Sequence, residues 1–335
     1  MDLKNLTLKQ KIAQMFVLGF NGTFYNLNRN FLDLMKNGLG GVIFFTHNIN
    51  SEKQFKELIS NLSKEASIPM FFSIDQEGGR VERTEKIHNG KKYLSAKQAF
   101  QMGHSYLINQ TKEIALELKN YGINMNFAPV LDVNTNDLNP IIGERAFANN
   151  PDDVINASKA VIKEYEKYNI ITVGKHFPGH GETSVDSHKG LPIVELNEKF
   201  MQEVHIKPFR EAIKLNIPAI MVAHVLYPCF DSEFPASISK KIISEILIKD
   251  CNFNGLIVSD DMEMNGIKGF SKIDACINAI NAGVNMFIFR DTTKEVFELI
   301  IKIENAVNEG MISKDLIDNS FEKIISLKCQ YGIVK

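Results

Sequence analysis

Short apolar runs of β type recur along the chain, and most are followed by a stretch with helical spacing. The runs are residues 15–19 (MFVLG), 40–45 (GGVIFF), 70–74 (MFFSI), 123–128 (INMNFA), 170–174 (IITVG), 219–223 (AIMVA), 255–259 (GLIVS) and 285–289 (NMFIF). None alternates strictly between apolar and polar positions, as expected of parallel strands covered on both faces. Helical patterns are read over residues 51–66, 95–121, 293–307 and 313–327. Another opens at Pro151, where a first-turn proline is tolerated, and sets Val154, Ala157, Val161 and Tyr165 on one face. One more begins near Pro208 and turns Phe209, Ala212 and Ile213 inward. Strands alternating with helices eight times predict an α/β fold of the (β/α)8 TIM-barrel type, with residues 1–335 as a single catalytic domain. A doubly wound open sheet is the alternative, but no G-x-G-x-x-G follows an early strand. No Pro/Gly/Ser-rich linker or low-complexity tract divides the chain.

The polar residues keep register with this pattern. Asp75 ends the third run, Lys175-His176 the fifth, His224 the sixth and Asp260 the seventh, while Arg145 sits in the long segment after the fourth. Barrel active sites are built at the C-terminal ends of the strands. The densest stretch is residues 172–190, TVGKHFPGHGETSVDSHKG, with three histidines, two lysines and an aspartate in one loop. Pro178, Gly179 and Gly181 exclude a helix there.

Composition narrows the function classes. The chain has 335 residues, 44% apolar and 23% charged, so a large core is available. A formal charge of −2 points to neither nucleic acid nor an anionic membrane as partner. The cysteines Cys229, Cys251, Cys276 and Cys329 form no C-x-x-C and no disulfide framework, which suits a reducing compartment. The N-terminal apolar run is short and lacks an A-x-A-like cleavage site, and no run reaches the length of a membrane span. The expectation is a cytoplasmic protein with no obligate protein partner.

Several chemistries fit these residues. Asp260, after a buried run, can be a nucleophile, a metal ligand or a cap; we expect Asp260 to face the pocket and Asp261 to be held by local groups. Asp186 and His188 read as a dyad in which the carboxylate orients the imidazole for acid or base work. His176, His180 and His188 could instead hold a metal, but metal sites with His-x3-His usually use a helix, so no metal and no cofactor is expected. A serine nucleophile lacks its G-x-S-x-G. Lys175, Arg83 and Arg145 are long donors for hydroxyls, an acyl carbonyl or an anion. Trp is absent, so any stacking on a sugar falls to Phe177, Phe147 or Tyr227.

Taken together, LTLKQKIAQMFVLGF, GGVIFF, DQEGGRVER, NFAPVLDV, IGERAFANNP, KHFPGHGETSVDSH, MVAHVLYP and VSDDMEM resemble glycoside hydrolase family 3 over residues 6–290, and within it the single-domain bacterial β-N-acetylhexosaminidases of peptidoglycan recycling. The resemblance implies a retaining reaction with Asp260 as nucleophile, His188 as acid/base and Asp186 as its partner. It places Asp75, Arg83, Arg145, Lys175 and His176 around a terminal N-acetylglucosamine, with His224 nearby. The implied small-molecule partner is a muropeptide carrying GlcNAc. A histidine acid/base adds no negative charge beside an anionic acceptor, so a phosphorylase remains an alternative to a hydrolase. A β-glucosidase of the same fold and an inactive sugar-binding protein are the others.

Overall fold

Strands β1 Phe16–Leu18, β2 Gly41–Phe44, β3 Phe71–Ile74, β4 Met125–Asn126, β5 Ile171–Phe177, β6 Ala219–Val222, β7 Leu256–Asp261 and β8 Met286–Phe289 pair in chain order. Every pairing is parallel, and β8 returns to β1 with Val17 opposite Ile288, so the sheet closes into a barrel. The computed structural model describes residues 6–23, 29–88, 91–183, 191–267, 269–292 and 294–334. The helices of six residues or more are α1 Leu8–Gln14, α2 Arg29–Lys36, α3 Glu52–Glu65, α4 Ala96–Gln101, α5 His104–Tyr121, α6 Pro151–Lys167, α7 Lys207–Lys214, α8 Lys272–Ala282, α9 Lys294–Asn308 and α10 Lys314–Gln330. Helical turns of π type cover Met201–His205 and Lys241–Asp250. This is the expected (β/α)8 barrel. Among the described residues no helix is long and apolar enough to cross a membrane.

Local sequence explains the elements. The Asn150 side chain accepts from the Asp153 amide and caps α6, Pro151 occupies its first turn, and Val154, Ala157, Val161 and Tyr165 are buried as their spacing required. Residues 95–121 differ from expectation. They form two helices, α4 and α5, because Gly103 between them takes φ +98°, a left-handed value that breaks the helix. Strands β5 and β7 run past their apolar cores. Lys175 and His176 lie within β5 at an irregularity in its pairing with β6, between Gly174 and Phe177, and Asp260 and Asp261 complete β7. The extended backbone therefore carries these polar side chains into the barrel mouth.

The opposite end of the barrel is closed by a lysine. Lys328, on α10, is fully buried; its ammonium donates to Gln14 Oε1 at 2.8 Å and Gly40 O at 3.0 Å and lies 4.8 Å from the Phe71 ring centre. Burial pushes it down from 10.5 to about 7. Between those values the unfolded chain binds a proton that the folded chain lacks, so stability rises with pH across the window, by up to about 1.4 kcal/mol per pH unit. Wild type should therefore gain stability relative to Lys328→Met between pH 7 and pH 9.5, read as the difference in urea midpoints. Parallel midpoints at the two pH values would show that Lys328 keeps its proton throughout.

Candidate active site

The third strand and its turn supply the first wall. Asp75 follows β3, and Gln76 Oε1 accepts from the Arg83 amide at 2.8 Å, which folds the turn back and brings Arg83 over the barrel mouth. The Arg83 guanidinium lies 5.8 Å from the Phe45 ring centre, and its terminal nitrogen is 3.8 Å from Asp75 Oδ2, too far for a hydrogen bond. Among the described residues its donors are thus largely unspent.

Beside it stands a buried charge cluster. Lys175 donates to Asp75 Oδ1 at 2.8 Å and Glu77 Oε1 at 2.6 Å. Arg145 grips Glu77 in two places, through Nε at 2.9 Å and a terminal nitrogen at 2.8 Å. Burial would raise the Glu77 carboxyl, but the charges of Arg145 and Lys175 outweigh it and hold it well below the ordinary range. Arg145 is held correspondingly above its ordinary value by Glu77, against the effect of burial.

Asp132, beyond β4, organises the loop after β5. It is fully buried and accepts from the backbone amides of His176 at 3.2 Å and His180 at 2.7 Å. Its Oδ2 also takes the His176 Nδ1 proton at 2.7 Å, so His176 turns Nε2 toward the cavity, 3.5 Å from Arg145. Burial would raise Asp132, but the attraction of His176 and these hydrogen bonds keep it low. Gly181 seats the loop, since a Cβ there would meet Val133 O at 1.7 Å.

Asp260 faces the same space from β7. Its carboxylate accepts from the Asp261 amide at 2.8 Å. Burial would raise it, but the imidazoles of His176 and His224 and that amide outweigh burial and hold it below the usual carboxylate range, so it is ionised at neutral pH. Asp261 behaves differently. Its carboxylate pairs with Arg290 and accepts from the Glu263 amide at 3.1 Å, and burial nonetheless raises it.

A cavity of about 250 Å³ results, with Asp75, Arg83, Arg145, Lys175, His176, His180, Asp260 and Arg290 among its walls. It is smaller than the roughly 300–1,000 Å³ of sites for drug-sized ligands and suits one sugar ring better than a chain. Of the residues expected at the site, Asp75, Arg83, Arg145, Lys175, His176 and Asp260 come together here. Asp186 and His188 lie outside the described residues. His224 is not on the wall. Its Nδ1 meets Ser237 Oγ at 2.6 Å and its Nε2 meets Asp261 O at 3.1 Å, so both ring nitrogens are spent behind Asp260. The aromatic expectation also needs correcting. Phe177, Phe147 and Tyr227 are packed into the core, and Phe45 and Phe127 are the rings at the cavity. Glu77, Asp132 and Arg290 were not expected at the site from sequence, though Arg290 directly follows β8 and the other two fall within DQEGGRVER and NFAPVLDV.

Residues 7–327 match the family described as glycosyl hydrolase family 3 N terminal domain. The chain belongs to glycosyl hydrolase family 3. Its relatives in the family include β-hexosaminidase A of Pseudoalteromonas piscicida, 33% identical over 318 residues, covering 87% of this chain and 53% of that protein. The β-hexosaminidase of Haemophilus influenzae is 33% identical over 279 residues, covering 81% of this chain and 78% of that one. Among solved structures, a family 3 β-N-acetylglucosaminidase from Paenibacillus sp. superposes with a TM-score of 0.92 at 32% identity, over 98% of this chain and 63% of that one. This family 3 chain thus spans about half the length of the Pseudoalteromonas relative and under two thirds of the Paenibacillus one.

Proposed function

We propose that this chain is a retaining exo-β-N-acetylhexosaminidase that hydrolyses terminal β-linked GlcNAc from muropeptides, GlcNAc-1,6-anhydroMurNAc with or without its peptide, in the cytoplasm during cell-wall recycling. The observation that carries the reading is Asp260, ionised and open to a cavity sized for one sugar and ringed by hydrogen-bonding side chains. The relatives named β-hexosaminidase and β-N-acetylglucosaminidase support the N-acetylated sugar. All four cysteines are unpaired, which supports a reducing compartment.

In this mechanism Lys175, Asp75, Arg83 and His176 hold the sugar hydroxyls. An Asp260 oxygen attacks the anomeric carbon as its bond to the leaving oxygen breaks, forming a glycosyl ester. His188, oriented by Asp186, gives its proton to the departing oxygen. The same imidazole then takes a proton from water, whose oxygen attacks the anomeric carbon and releases Asp260 with retained configuration. Two properties equip Asp260 for this. It needs no proton removed before attack, and its fixed hydrogen bond from the Asp261 amide leaves its other oxygen available.

The test is incubation with 4-nitrophenyl β-N-acetylglucosaminide, with and without phosphate, and with the plain β-glucoside. Free GlcNAc as product, phosphate-independent and with the glucoside turned over far more slowly, is expected. GlcNAc 1-phosphate would make the enzyme a phosphorylase; equal turnover of the glucoside would remove the hexosaminidase reading.

A further inference from the structure

Among the described residues the Arg83 guanidinium makes no hydrogen bond to the protein. Its Nε is buried without a partner, Asp75 stands 3.8 Å from a terminal nitrogen, and the Phe45 ring is its near neighbour. Lys175 and His176 differ, being held by Glu77 and Asp132. Arg83 is thus aimed at the cavity by the placement of its main chain rather than by a carboxylate that grips its side chain.

That main chain is pinned on both sides of Arg83 by one histidine. Glu82 and Thr84 are buried, while Arg83 between them lines the cavity. Both neighbours reach His88. Its Nδ1 lies 2.8 Å from Glu82 Oε1, a close contact off the hydrogen-bond line. Its Nε2 lies 2.8 Å from Thr84 Oγ1 and 2.8 Å from Glu117 Oε1, on α5, so the ring fastens the flanks of Arg83 to the helix layer. Tyr93 braces the same group. Its ring stands edge-on to His88 at 5.1 Å between centres, its hydroxyl donates to Glu117 Oε2 at 2.8 Å and its amide to Glu82 Oε2 at 3.3 Å. In every protonation state the imidazole presents an N–H to at least one of the two carboxylates. Glu82, His88 and Glu117 are not on the cavity wall.

Burial raises the Glu82 carboxyl, against the attraction of His88 and the Tyr93 amide. Without the imidazole, Glu82 Oε1 would face no donor, and nothing would stand between two converging carboxylates. A buried carboxylate left in that state turns toward water, and Glu82 would carry the main chain at Arg83 with it. We propose that His88 is a positioning residue that aims Arg83 at the substrate by holding Glu82 and Thr84, an inference that rests on the reading of Arg83 as a sugar ligand given above.

A double-mutant cycle with Arg83 tests this on 4-nitrophenyl β-N-acetylglucosaminide, at a temperature where circular dichroism shows each variant folded. His88→Ala should raise KM roughly 3- to 10-fold with kcat little changed, as loss of aim in a binding group requires. Arg83→Ala should lower kcat/KM roughly 10- to 100-fold, the worth of a charged hydrogen bond. In the Arg83→Ala background, His88→Ala should then change kcat/KM by less than about 2-fold, because the residue it acts through is gone. Should His88→Ala not fold, His88→Asn takes its place. It keeps an amide near the Nδ1 position beside Glu82 and loses the tie to Thr84 and Glu117, and its smaller loss should likewise vanish without Arg83. Losses that multiply across the cycle would make His88 a packing residue and overturn the proposal, as would an unchanged KM in the His88 variants or a loss confined to kcat. Failure of wild type to cleave the N-acetylglucosaminide would remove the hexosaminidase reading and this proposal together; multiplying losses in an active enzyme remove this proposal alone.

Discussion

Replacing Asp260 with alanine should abolish turnover while leaving the barrel as stable as before. The expected loss is on the order of 10^4-fold, the scale on which members of a hydrolase's nucleophilic machinery count. Stability should change little because the carboxylate accepts one backbone hydrogen bond, from Asp261, and otherwise faces the cavity rather than the packed core. Asp261→Ala makes a different prediction. Its carboxylate ties Arg290 to the end of β7, so its loss should loosen that rim and lower activity far less. A further measurement distinguishes a nucleophile from a general electrostatic role. In Asp260→Ala, azide can occupy the vacated space and attack the anomeric carbon of the nitrophenyl substrate. The product should be a glycosyl azide of inverted configuration. An Asp260→Ala enzyme that retains substantial activity, with Asp261→Ala dead, would assign the nucleophile to the other carboxylate.

The order of strands was legible because each barrel strand is buried on both faces and so reads as an apolar run. Its limits were legible only where the mouth begins. Lys175, His176, Asp260 and Asp261 are extended backbone, but hydropathy ends at Gly174 and Ser259 because their side chains turn to a polar cavity. Gly103 shows the opposite error. A lone glycine in a helical pattern is compatible with a continuous helix, and its positive φ depends on how α4 and α5 pack. Within the site, position at a strand end was enough to find Asp75, Lys175, His176 and Asp260. It failed for His224, which also ends a strand, because a carbonyl of the next strand, Asp261 O, takes its Nε2. Asp132 and Glu77 escaped notice for a related reason. Both stand some residues beyond a strand end, Glu77 three past β3 and Asp132 six past β4, and the role of each emerges only when the histidine or arginine it holds is placed against it.

Loss of the Glu77 charge should damage both stability and binding. Its carboxylate is the shared counter-charge of Lys175 and Arg145, with side-chain exposures of 4%, 2% and 12% for the three. Glu77→Gln keeps the shape but removes the charge, and one of its two positions becomes an N–H donor facing another donor. Arg145 then has the Ile141 carbonyl at 3.2 Å as its remaining close oxygen, and Lys175 has Asp75. Breaking a buried ion pair in this way costs roughly 3–5 kcal/mol. Freed from Glu77, both cations lose their aim into the cavity, and KM should rise by roughly 10- to 100-fold, the worth of a charged hydrogen bond. The sign of the pH dependence follows from the lowered Glu77 carboxyl. Its stabilisation is fully present above the unfolded value of 4.5 and disappears only as pH falls toward the depressed folded value. The gap between wild type and Glu77→Gln in urea should thus be flat from pH 8 to about pH 5.5 and narrow in acid. A double variant with Lys175→Met gives the decisive comparison. With one of the two cations gone, Glu77→Gln should cost less than it does alone, so the two losses should fall short of additive by about 1 kcal/mol or more. Additive losses would mean that Glu77 does not act through Lys175, and that the cluster is held together by Arg145 alone.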